Sequence, residues 1–279
     1  MITKTETTDA RTPPAQHTAP AAWPPGRPRW WQRPWIAPLA LISIIFVAFS
    51  LPPYLSLNPE RSRVPQPDNF AAHYPLLIAH VVFGSVALLT ASPQVWPWFR
   101  QRYPVAHRLI GRVYVLGGVL PAGITGLIIG AFSPFGPLAR VNNVLMASLW
   151  LLFTVTGYRM ARRHQYVEHR RWMIRSFALT ASIITNRLWA VIGFIILSPQ
   201  LDTTFEGSEK MLTWTIAGLS TSLGWVIPLL IAEWWLDRGE SVSIQVRPMR
   251  AGPNAWASSP ATGGSRSEIS SRSPVSRPP

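Results

Sequence analysis

The stretch HRLIGRVYVLGGVLPAGITGLIIGAF, residues 107–132, decides the fold class of this chain. After its two arginines, no charged residue follows until Arg140. A helix that crosses the apolar part of a bilayer, about 30 Å thick, needs roughly 20 predominantly apolar residues, and this stretch supplies them. The stretch therefore predicts a transmembrane helix that enters the membrane at a His-Arg pair.

Five further apolar segments predict, together with this one, six transmembrane helices. They are residues 35–55, 74–95, 141–160, 172–197 and 211–236. Pro52 and Pro53 are expected to end or kink the first helix, because proline lacks the backbone N–H that an inner helical position requires. The pattern indicates an all-α, polytopic membrane helix bundle.

The composition excludes several classes of soluble protein. Only 14% of the 279 residues are charged, whereas a soluble domain carries about a quarter. The chain has no cysteine, which rules out disulfides, thiolate catalysis and iron–sulfur clusters. The motifs of phosphate-binding loops, serine hydrolases and zinc proteases are also missing, so no motif supports an enzymatic activity.

The formal net charge of +14 would suggest a nucleic-acid partner in a soluble protein. Here the arginines concentrate in certain inter-span loops and in the C-terminal tail, where anionic lipid is the nearer counter-charge. We therefore expect anionic lipids, and no nucleic acid, at the cytoplasmic face. Small residues on the spans indicate ordinary helix packing, so a homo-oligomer is neither indicated nor excluded.

The basic loops also predict the orientation of the chain. Cytoplasmic loops carry an excess of Lys and Arg, and here basic loops alternate without a break with loops that have no such excess. We expect both termini in the cytoplasm and the chain in the cell inner membrane. The basic stretches lie at residues 27–33, 100–102, 159–171 and 238–250.

Both ends of the chain differ in composition from the apolar middle. Residues 1–32 are rich in Pro, Ala and Thr, and residues 239–279 are rich in Ser, Pro, Gly and Arg. Such segments bury too little apolar surface to offset their ordering entropy. They are expected to be disordered cytoplasmic tails on either side of a membrane domain of residues 33–238.

Two histidines open spans in the same local pattern. HRLIGRVYV begins at His107 and HRRWMIRSF begins at His169, and the predicted topology places both histidines at one depth near the cytoplasmic face. His80 lies about two helical turns into span two, from the opposite side. Further arginines follow within two turns of each pair, namely Arg108, Arg112, Arg170 and Arg175.

These patterns resemble the bacterial predicted membrane proteins of the family DUF2306. The resemblance implies a four-helix core made by spans two to five, residues 70–197, to which spans one and six are added. The family has no established activity, so the resemblance implies fold and site positions more than function. The residues that carry it are His80, Gly84, Pro93, Gln94, the motif from His107 to Tyr114, Trp150, the motif from His169 to Ser176, Arg187 and Leu188.

Haem b is one hypothesis for the His-Arg pattern. Imidazoles from facing helices hold haem iron in four-helix membrane cytochromes, so His107 and His169 could ligate one iron while the arginines receive its propionates. A second haem lacks ligands, because His80 has only His73 beside it, and one helix cannot ligate iron from both sides. The alternative is that His107 and His169 are interfacial and bond loop carbonyls or lipid phosphates.

Arg187 is predicted to lie within the hydrocarbon depth of span five. An unpaired arginine costs several kcal/mol at that depth, so the side chain should face the bundle interior, with His80 as its first candidate partner. Ser176 and Thr180 share its helical face. Glu233, near the inner end of span six, is expected to snorkel or to pair with an inner arginine.

The sequence thus supports one main function and two alternatives. The main hypothesis is a membrane protein that binds a small ligand or cofactor at a His/Arg-lined intramembrane site. The alternatives are a haem-b electron-transfer protein and a small transporter. The candidate site residues are His80, His107, Arg108, Arg112, His169, Arg170, Arg175 and Arg187, with His107 and His169 also the candidate haem-iron ligands.

Overall fold

The computed structural model describes residues 34–67 and 70–245, with side chains up to residue 238. The last helix continues to Gln245, past the boundary that the sequence predicts at residue 238. The predicted tails, residues 1–32 and most of 239–279, lie outside the described residues and stay a prediction. The described residues divide into two compact units after Trp235. The contacts described below lie in the unit that ends at Trp235.

The described residues fold into helices joined by short turns. Residues 113–119, between α5 and α6, form a π-helical segment that makes one continuous span of residues 104–131. Short 3-10 turns occupy Pro59–Arg61 and Ser198–Gln200. The helices are α1 (Ile36–Ser50), α2 (Pro52–Leu55), α3 (His73–Gln94), α4 (Pro97–Arg102), α5 (Pro104–Arg112), α6 (Leu120–Ala131), α7 (Pro137–Arg162), α8 (Tyr166–Leu197) and α9 (Glu209–Gln245).

The predicted class of an all-α, polytopic membrane protein is confirmed. Within the described residues, five helical segments are long and apolar enough to cross a bilayer. The first predicted span differs, since α1 has only 15 residues and at 1.5 Å per residue is shorter than the apolar thickness of about 30 Å. Pro52 and Pro53 end it as expected, and they start the separate short helix α2.

The buried core is made by the four spans that the resemblance singled out. Its members come from α3, the π-helical segment, α6, α7 and α8: Ala87, Ala91, Tyr114, Val115, Val119, Ala122, Trp150 and Leu179. The backbones of α3 and the π-helical segment approach each other closely in this core. A Cβ on Gly118 would lie 2.9 Å from backbone atoms of Ala87, so only glycine allows the π-helical segment to pack this closely on α3.

A tight turn before α7 brings α9 against the bundle. Gly136 has φ +91°, a conformation that side-chain-bearing residues rarely adopt, and a Cβ there would come within 2.8 Å of the Trp214 ring. The Trp214 indole donates a 3.1 Å hydrogen bond to the carbonyl of Pro134. The start of α9 is therefore anchored to the turn between α6 and α7.

Candidate functional site

A buried network of hydroxyl groups joins three spans at the centre of the core. Tyr114, on the π-helical segment, lies 2.7 Å through its hydroxyl from Ser176 Oγ and 2.7 Å from Thr180 Oγ1, both on α8. From α7, the Trp150 indole donates to Thr180 Oγ1 at 2.9 Å, and Thr154 Oγ1 lies 2.6 Å from Ser176 Oγ. All five side chains are buried. The network therefore fixes the rotation of these three helices about their axes.

The network has fewer protons than contacts. Thr154 and Thr180 also reach backbone carbonyls one turn earlier on their own helices. Each hydrogen bond needs one donated proton, and the four hydroxyls and one indole N–H supply five. The six short contacts therefore cannot all be hydrogen bonds at the same time. Because the hydroxyl of Tyr114 can donate to either α8 oxygen, the protons can rearrange without movement of the helices.

His80 is held in one orientation by a neighbouring helix. Its Nδ1 lies 2.8 Å from the carbonyl of Ala122 on α6. A carbonyl only accepts, so Nδ1 carries the proton and Nε2 of the neutral ring keeps its lone pair. Gly126 makes room for the ring, since a Cβ there would lie 2.8 Å from His80 Nδ1. His80 thus presents a hydrogen-bond acceptor in a fixed direction.

A cavity of about 550 Å³ lies between the helices, and His80 is on its wall. This volume is typical of small-molecule sites, which measure about 300 to 1,000 Å³. Most of the wall is apolar, with side chains such as Phe46, Leu88 and Ile183. The polar groups on it include His80, Asn143, Asn186 and Arg187, with Trp150 and Thr180 of the buried network.

Arg187 borders this cavity together with Arg63 from the segment after α2. It makes no hydrogen bond or ion pair with any residue that the structure describes. No aspartate or glutamate is among the described residues that line the cavity. Arg187 and His80 therefore border the same cavity, but they are not bonded to each other. Their role as a site stays a prediction.

His107 and His169 lie at the opposite end of the bundle from this cavity. His169 Nδ1 is 2.8 Å from the carbonyl of Gly157, which orients its ring as His80 is oriented. His107 Nδ1 is buried without a partner among the described residues. Haem ligation by this pair stays a prediction that a reduced-minus-oxidised absorption spectrum of the purified protein would test.

The Pro-Gln and His-Arg motifs meet at this end. Gln94, the last residue of α3, donates from Nε2 to the carbonyl of His107 at 3.1 Å. Its Oε1 would lie 3.2 Å from a Cβ on Gly111, so Gly111 leaves space for the amide. The contact ties the end of α3 to the start of α5, which explains why these residues occur together.

The four arginines predicted beside the histidines have different environments. Arg108 and Arg112 are exposed. The Arg170 guanidinium stacks over the Trp235 ring at 5.1 Å. Arg175 forms a bidentate ion pair with Glu233 of α9, at 2.5 and 2.7 Å, so of the two expectations for Glu233 it is the pairing with an arginine that the structure shows. Arg175 is therefore engaged by a carboxylate instead of being open to a haem propionate.

The fold and this set of polar groups define a polytopic helical membrane protein with an internal cavity. The chain belongs to the family described as Predicted membrane protein (DUF2306), whose profile matches residues 77–236. The predicted family is thus confirmed. The match continues into α9 as far as residue 236, so the expectation that span six is an addition to the family core is wrong. No curated protein and no solved structure matches the chain.

Sequence reasoning missed two parts of this arrangement. Tyr114 and Trp150 were recognised as motif residues, but nothing in the sequence showed that both reach Thr180. The cavity itself was not predicted. A signal was present in the glycines, because Gly126 and Gly130 on α6 both line the cavity wall.

Proposed function

We propose that the protein binds a small amphipathic ligand in this cavity, with an anionic group of the ligand at Arg187. The observation that carries the proposal is the charge of the cavity wall. Two arginines, Arg187 and Arg63, border it, and no carboxylate does so among the described residues. An anionic oxygen from a ligand would supply the missing counter-charge through charge-assisted hydrogen bonds.

The remainder of the cavity wall favours an apolar body on the same ligand. Side chains of α1, α3, α8 and α9 form an apolar surface on which only a few polar groups are placed, as in other small-molecule sites. His80 Nε2 is an acceptor, so it would bind a hydroxyl or amine hydrogen of the ligand. Asn143 and Asn186 offer both donors and acceptors.

The orientation of the protein is part of the proposal. Exposed arginines gather at the His107 end of the bundle, and this end is proposed to face the cytoplasm of the inner membrane, against anionic lipid headgroups. Trp96, Trp98 and Tyr103 surround the short helix α4 there, with ring centroids 4.8 and 5.8 Å apart. Such an aromatic group with basic neighbours suits the headgroup region. The cavity would then lie towards the opposite face.

Ligand binding is tested with a permanently anionic probe, 2-naphthalenesulfonate, and its neutral match, 2-naphthalenesulfonamide. The purified protein in zwitterionic nanodiscs is dialysed against each probe, and empty nanodiscs are subtracted. We expect saturable binding of the sulfonate and weaker binding of the sulfonamide. Arg187→Gln should weaken sulfonate binding about tenfold or more, because hydrogen bonds to charged groups contribute about 1.5 to 3 kcal/mol.

The matched control is Arg162→Gln, which removes an exposed arginine at the other end of the bundle. This variant should bind the sulfonate as the parent protein does. Equal weakening by both substitutions, or no saturable binding to the parent protein, would show that the cavity does not recognise anions through Arg187.

A further inference from the structure

The cavity lies towards one end of the spans that it touches. It lies in the half nearer the end of the bundle at which α3 begins and α6 ends, which we call the His73 end. On α6 its lining starts at Ala122, and on α8 it starts at Leu179. On the five long spans the lining residues fall within residues 73–88 of α3, 122–130 of α6, 139–150 of α7, 179–194 of α8 and 213–225 of α9.

The other half of the bundle is closed by direct contacts. The hydroxyl network of Tyr114 bounds the cavity on the side of the His107 end, where its Trp150 and Thr180 line the cavity wall. Val119, close to Tyr114 in the sequence, has no exposed surface. In this half, α8 and α9 are joined by a polar contact, the bidentate ion pair between Arg175 and Glu233. On α6 and α8 the cavity lining stops at Ala122 and Leu179, and these buried side chains separate the cavity from the His107 end.

Two spans are interrupted close to the depth at which the cavity stops. The π-helical segment ends at Val119, just before the first α6 residue that lines the cavity, Ala122. On α9 the last lining residue is Trp225, and Pro228 follows within one turn. Both π-segments and prolines weaken the backbone hydrogen-bond ladder and locate bends in helices. The half of the bundle that holds the cavity is called the open half, and the half towards the His107 end is called the closed half. The two interruptions lie between them.

We propose that the protein transports its ligand across the membrane, and that this structure is the state open towards the His73 end. In the opposite state, bending at the π-helical segment and at Pro228 would separate α9 from α8. Arg175 and Glu233 would then part, and the cavity would open to the His107 end. Interrupted helices at mid-depth around a binding site are the usual basis of such rocking movements. This inference rests on the proposed ligand binding.

The absence of cysteine makes access to the cavity directly measurable. Single-cysteine variants are placed in the open half, Ala190→Cys, and in the closed half, Ala178→Cys, which is 6% exposed. Right-side-out and inside-out vesicles are treated with a membrane-impermeant maleimide. We expect the Ala190→Cys variant to be labelled rapidly from one face, and the Ala178→Cys variant only slowly and from the other face.

Removal of the ion pair should shift the protein to the second state. Glu233→Gln in the Ala178→Cys variant should raise the labelling rate at least severalfold from the second face and slow the labelling of the Ala190→Cys variant. Glu168→Gln is the matched control, because it breaks a pair with Arg171 at the surface of α8. If the Ala178→Cys variant stays unlabelled from both faces in either background, the cavity is a closed pocket and the transport proposal is wrong.

Transport itself is measured in proteoliposomes with radiolabelled 2-naphthalenesulfonate, which does not cross lipid unaided. Saturable uptake above that of protein-free liposomes, lost in Arg187→Gln, is the expected result. Binding in nanodiscs without uptake would overturn transport and leave ligand binding intact. No binding in nanodiscs would overturn the proposed function, while the labelling rates would still report whether the two-state access exists.

Discussion

Two arginines on α8, Arg175 and Arg187, have different roles because their surroundings differ. Arg175 is neutralised by Glu233 and its guanidinium also lies 4.9 Å from the Trp172 ring centroid. Arg187, about three turns further along the same helix, borders a mostly apolar cavity that no described carboxylate lines. An arginine inside a membrane is costly unless it is paired or faces a polar space. The first residue therefore joins two helices, and the second is the residue on which the proposed ligand binding depends.

At the same scale, Tyr114→Phe tests the hydroxyl network. The substitution removes one hydroxyl that contacts Ser176 and Thr180 but keeps the ring in the core. We expect a loss of about 1 kcal/mol in stability, since hydrogen bonds between membrane helices average about 0.6 kcal/mol and reach about 1.7 kcal/mol. The measurement is the loss of the monodisperse size-exclusion peak after heating in detergent.

Tyr166→Phe is the control for this substitution, because Tyr166 is 63% exposed. It should leave the heating profile unchanged. If Tyr114→Phe behaves like Tyr166→Phe, the network contributes no net stability, and its contacts only reflect the packing of the core.

At the scale of elements, the contact between α3 and the π-helical segment depends on the smallest side chains. Gly118 meets Ala87 so closely that no Cβ fits, and both residues belong to the buried core. Helices in lipid associate through such close packing, because lipid tails give no hydrophobic force between them. The same π-helical segment carries Gly118, which meets α3, and Tyr114, which meets α8.

Two adjacent glycines provide a matched test of this contact. Gly118→Ala should lower stability by about 1 to 3 kcal/mol, the usual cost of overpacking, because its Cβ would lie 2.9 Å from the Ala87 backbone. Gly117→Ala should be neutral or slightly stabilising, since its nearest neighbour is a Val113 side-chain atom at 3.8 Å. Equal effects in the heating assay would mean that the helices can move apart without cost.

At the scale of the whole molecule, the length of the first helix bears on the topology of the chain. Five described segments are long enough to cross the membrane, and α1 is shorter. Its Ile36, Ser43 and Val47 are buried in the bundle, and Val47 lines the cavity. It thus contributes to the bundle even at this length. Whether it crosses decides whether the two termini lie on the same side.

Reporter fusions at the two termini test the orientation. We expect a cytoplasm-only reporter to be active both before Met1 and after Gly239, because the basic loops alternate along all six predicted spans. A periplasm-only reporter should be inactive at both positions. Activity of the periplasm-only reporter at Met1 alone would show that α1 does not cross, and activity at Gly239 would contradict the proposed cytoplasmic face.

The sequence by itself determined the membrane class, the positions of the long helices, the family and the shared end of His107 and His169. These follow from apolar length and loop charge, which are local properties that the bilayer imposes on each segment. The tertiary structure decided that Arg175 meets Glu233, that Tyr114 and Trp150 meet at Thr180, and that His80 and Arg187 share a cavity. Those contacts depend on how each helix is rotated about its axis and which neighbour it packs against. In an apolar helix that rotation is set by close packing with other helices, and no pattern within one segment records it.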